Sequence, residues 1–271
     1  MKKSGTAVRI ATGLFLLALL GVCMYLGPVA RLCFFYVFIW FAAREMSDAL
    51  NHMGFLTSPW MARALALVMC VLFYFKDETA FYITAASIVI MLALLAALFK
   101  KTSMRDVLGS CIVCLYPTLF LLGYAYLSVQ PETIFWPVLL ITLFSAAGCD
   151  TFAYFFGRAF GRHKLCPSIS PHKTVEGSLA GTICGTALVL LAWLLLKDFA
   201  PIPWYVYLIT AFFCTIAGQL GDLTASMIKR QAGIKDFSDL LPGHGGVIDR
   251  IDSFCFALPV AFFALALFHA T

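Results

Sequence analysis

Between Ser226 and Ser253 the chain reads SMIKRQAGIKDFSDLLPGHGGVIDRIDS, a polar stretch in a sequence that is 62% hydrophobic. Asp236, Asp239, Asp249 and Asp252, with Asp222 just upstream, supply carboxylates; Lys229, Arg230, Lys235 and Arg250 supply cations. Between them lies the turn Pro242-Gly243-His244-Gly245-Gly246. Carboxylates hold a hard divalent cation, bases neutralise phosphate oxygens, and glycines let backbone N–H groups approach an anion. These residue types in this order suit a polyphosphate bound with a metal.

Asp222 and Ser226 are four apart, so on a helix they share a face, and Arg230 continues it one turn on. Gly218 and Gly221 would let another helix or the ligand come close to the same helix. Asp249 and Asp252 are three apart and share a face if a helix has begun by then. With Asp222 they could converge on one or two hard cations, an arrangement suited to magnesium, which takes few carboxylates and completes its shell with water and substrate phosphates. Asp150 is a further candidate ligand: a carboxylate inside an apolar run costs about 3 kcal/mol of insertion free energy unless it faces a polar cavity or partner. Gly157 and Gly161 suggest that its helix continues with a face suited to close approach.

The segment Ser170-Pro171-His172-Lys173-Thr174-Val175-Glu176-Gly177 reads as a loop entering a helix, with Ser170 as cap and Pro171 in the first turn. The freed N–H groups there favour an anion. Lys173 would supply a point charge for phosphate, held in place by Glu176. His244 reads as a phosphate donor or a turn residue, not as a base. The expected site therefore has catalytic residues Asp222, Asp249, Lys229, Arg230 and Lys173. Substrate would be bound by Ser170, Lys173, Ser226, Lys229, Arg230, His244, Gly245, Gly246 and Arg250. Metal would be held by Asp222, Asp249, Asp252 and Asp150.

Membrane spans must position these groups. The mean hydropathy is +0.93 and 12% of residues are charged, against about 25% in soluble chains. This composition excludes an ordinary soluble domain and predicts an all-α polytopic membrane protein. Nine apolar segments can be drawn, at 8–26, 29–43, 60–75, 80–99, 107–127, 134–156, 178–196, 204–227 and 254–270, the second weakened by Arg31. With the N-terminus in the cytoplasm and the C-terminus outside, all but Arg31, Lys76 and Lys197 of the 19 Lys and Arg fall inside, a strong positive-inside bias. Both motif loops then face the cytoplasm, where nucleotides are.

The net charge of +5 belongs to span ends beside anionic headgroups and calls for no nucleic acid. The first apolar run reads as a retained transmembrane helix rather than a cleaved signal peptide. The cysteines form no framework; most lie in apolar runs, where thiols behave as small hydrophobes. Residues 1–130 read as a scaffold of transmembrane helices. Residues 131–271 read as the catalytic transmembrane region, and Asp150, Glu176, Asp222, Asp236, Asp239, Asp249 and Asp252 are half of the chain's 14 acids.

Metal, bases, no evident nucleophile and a substrate with one end in lipid point to phosphoryl or nucleotidyl transfer, where positioning and charge stabilisation do most of the catalysis. The residues alone leave kinase, nucleotidyltransferase and pyrophosphatase open.

A resemblance makes that choice. Ser226-Met-Ile-Lys229-Arg230, Lys235-Asp236, Leu241-Pro-Gly-His-Gly-Gly246 and Asp249-Arg250-Ile-Asp252 match the hallmark motif of the phosphatidate cytidylyltransferases, also called CDP-diacylglycerol synthases. Asp150-Thr-Phe-Ala-Tyr154, Gly157, Gly161 and the segment 170–177 extend the likeness over roughly the C-terminal half; the first 130 residues resemble the family only as a series of spans. The resemblance implies that CTP and phosphatidate give CDP-diacylglycerol and pyrophosphate at a bacterial-type cytoplasmic (inner) membrane. It implies magnesium, with potassium as a second cation, near the acids matching Asp222 and Asp249, and it leaves room for a homodimer. The CTP-dependent polyprenol and phytol kinases are similar in the C-terminal half but lack the longer motif ending at Asp252. An ion-coupled transporter using Asp150 and Asp222 would be expected to spread polar residues through many spans.

Overall fold

The computed structural model describes residues 6–75 and 103–270. The helices are α1 (Thr6–Tyr25), α2 (Pro28–His52), α3 (Trp60–Tyr74), α4 (Met104–Val113), α5 (Phe120–Leu127), α6 (Glu132–Phe160), α7 (Val175–Leu196), α8 (Trp204–Gln231) and α9 (Ile248–Ala270). A π-helical stretch, Cys114–Leu119, joins α4 to α5 around Pro117. Among the described residues, five helical segments are long and apolar enough to cross a membrane: Met104–Leu127, Glu132–Phe160, Val175–Leu196, Trp204–Gln231 and Ile248–Phe268. The all-helical membrane architecture is as expected; the segment 80–99 lies outside the described residues.

Helix ends depart from the apolar runs for physical reasons. The second apolar segment spans 29–43, yet α2 continues to His52, because the polar turns after Ala43 keep buried positions at Glu45, Met46, Ala49 and Leu50. Arg31 does not break the helix: it is buried, and its guanidinium donates to the Met24 carbonyl at 2.8 and 3.1 Å. Thus the charge is absorbed at an orphan carbonyl near the end of α1. At α4, Ser103 and Asp106 form a capping box, and Asp106 also accepts from Leu56 N–H at 2.8 Å.

The chain divides into two compact units. The first comprises residues 1–129 with 231–250, so the loop carrying the Pro-Gly-His-Gly-Gly turn groups with the N-terminal helices. Ile39, Met46, Met69, Leu121 and Leu127 fill its core.

The second unit comprises 130–230 with 251–271. In it α6 and α7 pack against one another through glycines. Gly177, Gly181 and Gly185 recur every fourth residue along one face of α7, and a Cβ at Gly181 would lie 2.7 Å from the Cys149 carbonyl. A Cβ at Gly177 would lie 2.6 Å from the Ala153 carbonyl. Only glycine permits this approach, the small-xxx-small solution of membrane helices. Leu179, Ile183, Leu191 and Leu195 on α7 are exposed, as expected of side chains that face lipid rather than water.

Between α6 and α7 runs an antiparallel hairpin, β1 (Lys164–Cys166) and β2 (Ser170–Thr174), pairing Lys164 with Thr174 and Cys166 with Ser170. It corrects the reading of Ser170 as a helix cap. Ser170 and Pro171 are strand residues, and the cap is Thr174, whose side chain accepts from Gly177 N–H at 3.1 Å. Proline is tolerated there because a two-stranded sheet consists of edges.

Candidate active site

The second unit brings together several expected residues. Asp222 lies in α8, nine residues before its end, and Ser226 one turn on donates to its Oδ1 at 3.3 Å. Lys173, on β2, forms an ion pair with Asp222 Oδ2, both side chains being about three-quarters covered. The expectation that Glu176 would hold Lys173 is corrected. Glu176 instead turns back on the chain entering the hairpin, accepting from Arg162 N–H at 3.0 Å and His163 N–H at 3.2 Å and meeting His163 Nδ1 at 2.6 Å. Strand β2 delivers Lys173 to α8, while the first turn of α7 keeps Glu176 beside residues 162–163. Arg230 extends the α8 face as expected, and its Nε donates to the Ile169 carbonyl of the hairpin at 3.4 Å.

Asp150 is interior to α6, which runs on to Phe160; its Oδ2 accepts from Ser253 Oγ at 3.2 Å. Asp252, half-buried on α9, accepts from Ser253 N–H at 2.8 Å. The close approach expected at Gly221 is realised by α9: a Cβ there would lie 2.3 Å from the Asp252 carbonyl. Beside Asp222 runs a network that the sequence did not suggest. Ser178 Oγ donates to Gln219 Oε1, and Gln219 Nε2 donates to Thr182 at 2.9 Å.

In the first unit the motif turn is built as its glycines require. Leu241 and Gly245 exchange backbone hydrogen bonds at 2.9 and 3.1 Å, and Gly243 and Gly245 have φ of 78° and 81°, open to glycine without strain. His244 is half-buried against α1, where a Cβ on Gly13 would lie 3.6 Å from its Nε2. Asp249 Oδ2 accepts from Phe237 N–H at 2.8 Å and Gly246 N–H at 2.9 Å. Arg250, Asp236 and Asp239 are exposed.

A buried acid that the sequence reading passed over, Glu45 of α2, also belongs to this loop. It accepts from Ser238 Oγ at 2.6 Å, Val247 N–H at 2.9 Å and Ile248 N–H at 2.9 Å. Burial pushes its carboxyl above the ordinary pKa, and the three donors oppose that rise. No local signal marked it, since Glu45 lies in the polar turns after Ala43, between Arg44 and Asp48.

Among the described residues, no three His, Cys, Asp or Glu side chains are grouped so as to hold a metal ion unaided. The donor chemistry nonetheless fits magnesium: the acids are hard oxygen ligands, Asp222 already binds a cationic group, and this ion draws much of its shell from water and substrate phosphates.

The sequence profile of the cytidylyltransferase family matches residues 7–268. The chain belongs to this family. It is 33% identical over 258 residues to the phosphatidate cytidylyltransferase of Staphylococcus haemolyticus (strain JCSC1435), covering 93% of this chain and 96% of that protein. The enzyme of the same name from Staphylococcus aureus (strain COL) is 31% identical over the same coverage. That of Bacillus subtilis (strain 168) is 48% identical over 119 residues, 44% of each chain. Family likeness thus extends through the N-terminal helices, beyond the C-terminal half in which the motifs were read.

Proposed function

We propose that this cytidylyltransferase-family chain transfers the cytidylyl group of CTP to phosphatidate, giving CDP-diacylglycerol and pyrophosphate for phospholipid biosynthesis. The observation that carries the reading is a family match over nearly the whole chain, with a Lys173–Asp222 ion pair one helical turn before the hallmark segment. An oxygen of the phosphatidate phosphate attacks the α-phosphorus of CTP. The bond from that phosphorus to the bridging oxygen of the β-phosphate breaks, and pyrophosphate leaves. The attacking group comes from the substrate, so no enzyme nucleophile is required.

Lys173, Lys229, Arg230 and Arg250 offer positive charge for phosphate oxygens, and Ser226 a hydroxyl beside Asp222. His244, Gly245 and Gly246 shape the turn that approaches the nucleotide, and Ser170 begins the strand that carries Lys173. Asp222, Asp249, Asp252 and Asp150 are the acids offered to magnesium, with potassium as a second cation. When bound, magnesium would neutralise charge on the CTP phosphates and the leaving pyrophosphate.

The reading includes nine spans, a cytoplasmic N-terminus, an outer C-terminus and an active site facing the cytoplasm, supported by the distribution of Lys and Arg. A reporter fused after Thr271 is expected outside and one inserted near Ser168 inside; finding both on one side would remove a span from this topology. The reaction is tested with purified protein in vesicles: pyrophosphate should appear only when CTP, phosphatidate and magnesium are all present. Phosphorylation of a lipid alcohol instead would favour a CTP-dependent kinase. Ion flux without turnover of CTP would favour a transporter.

A further inference from the structure

The Glu45 carboxylate sits where a side chain on the motif loop would otherwise be: a Cβ on Gly246 would lie 2.6 Å from its Oε2. Glu45 is 4% exposed, and both oxygens are used. Oε1 accepts from Ser238 Oγ and Val247 N–H, and Oε2 accepts from Ile248 N–H. Val247 and Ile248 are themselves buried and stand at the start of α9, where backbone N–H groups have no partner within the helix. A carboxylate from α2 supplies those partners and places negative charge at the positive end of the helix. Asp249 fastens the same loop from within, through Phe237 and Gly246 N–H. The turn Leu241–Gly245 is therefore tied at both of its flanks, at Ser238 and at 246–248.

We infer that Glu45 is a positioning residue for the reaction, fixing the Pro-Gly-His-Gly-Gly turn and the first turn of α9 in the geometry that binds the CTP phosphates. This inference rests on the proposed function, and it assigns a catalytic consequence to an N-terminal helix that carries none of the hallmark motif. Glu45→Gln keeps the size of the side chain but replaces one acceptor oxygen by an NH₂ group that cannot accept from backbone N–H.

The test compares wild type, Glu45→Gln, Ser238→Ala and the exposed control Asp48→Asn. KM for CTP and for phosphatidate are measured separately, together with hydrogen–deuterium exchange over 237–248. Removing charge-assisted hydrogen bonds that orient a binding loop should raise KM for CTP by about 10-fold or more in Glu45→Gln, leaving KM for phosphatidate within about 2-fold. Exchange over 237–248 should quicken, Ser238→Ala should move the same way by less, and Asp48→Asn should behave as wild type. A merely structural role lowers the amount of active protein and leaves KM alone, so an unchanged KM for CTP overturns the inference whatever happens to kcat. Should Glu45→Gln not fold, Ser238→Ala decides by the same criterion. Should wild type transfer no cytidylyl group, the functional reading fails by itself; unchanged exchange over 237–248 in the variants would then overturn the role of Glu45 independently.

Discussion

Glu45 and Asp249 in the first unit do different work from Asp222 in the second. In the first, Glu45 and Asp249 spend their oxygens on backbone N–H groups and hold a glycine turn in shape. In the second, Asp222 faces an ammonium and a hydroxyl, Lys173 and Ser226, and Asp150 accepts from the Ser253 hydroxyl. An acid that accepts from N–H builds structure. An acid whose partner is a mobile cationic side chain can exchange that partner for another cation. Residue type does not separate the two; the partner does.

Replacing single acids tests this difference. Asp222→Asn keeps size and hydrogen bonding but removes the charge opposite Lys173, and activity should fall at least ~100-fold, equivalent to about 2.7 kcal/mol on the barrier. Asp249→Asn sharpens the comparison, since an amide oxygen still accepts from Phe237 and Gly246 N–H. If Asp249 also ligates the cation, its activity should fall as far while hydrogen exchange over 237–248 stays as in wild type. Asp239, exposed in the same loop, should lose less than about 2-fold on conversion to Asn. Equal, modest losses at all three positions would mean a diffuse charge cluster, and the division between the units would collapse.

A smaller effect on chemistry, but a clear one on stability, is expected where the second unit depends on glycine. Gly181→Val would drive a side chain into the Cys149 carbonyl and the Ala153 methyl group, 2.7 and 2.9 Å from the added Cβ. Overpacking of this kind costs about 1–3 kcal/mol or more, so the thermal midpoint in detergent should fall, with KM for both substrates unchanged in the folded fraction. An unchanged midpoint would show that α6 and α7 can separate at little cost.

Much of the membrane architecture was legible because span length and apolar composition are local properties. The faces of α8 were legible for the same reason: Asp222, Ser226 and Arg230 follow helical spacing, and Gly221 marked a close approach. The turn at 242–246 was legible because its glycines admit few other readings. The hairpin at 164–174 was missed because Ser-Pro before a Thr-x-Glu reads equally as a helix start, and strand pairing with 164–166 depends on residues outside that window. Glu45 was missed for a stronger reason. Its partners are about 200 residues away in sequence, and no local pattern tells an acid which distant N–H it will meet. The Gly177–Gly181–Gly185 repeat was present in the sequence, although its spacing announces close packing without naming α6 as the partner.

The most direct measurement follows the phosphate of CTP itself. Purified protein in phosphatidate vesicles with magnesium would be given CTP labelled either at the α-phosphate or at the γ-phosphate. Cytidylyl transfer predicts that the α-label enters the lipid fraction as CDP-diacylglycerol and the γ-label leaves as pyrophosphate, with both events lost in Asp222→Asn. Appearance of the γ-label in lipid, or release of pyrophosphate without phosphatidate, would contradict the account.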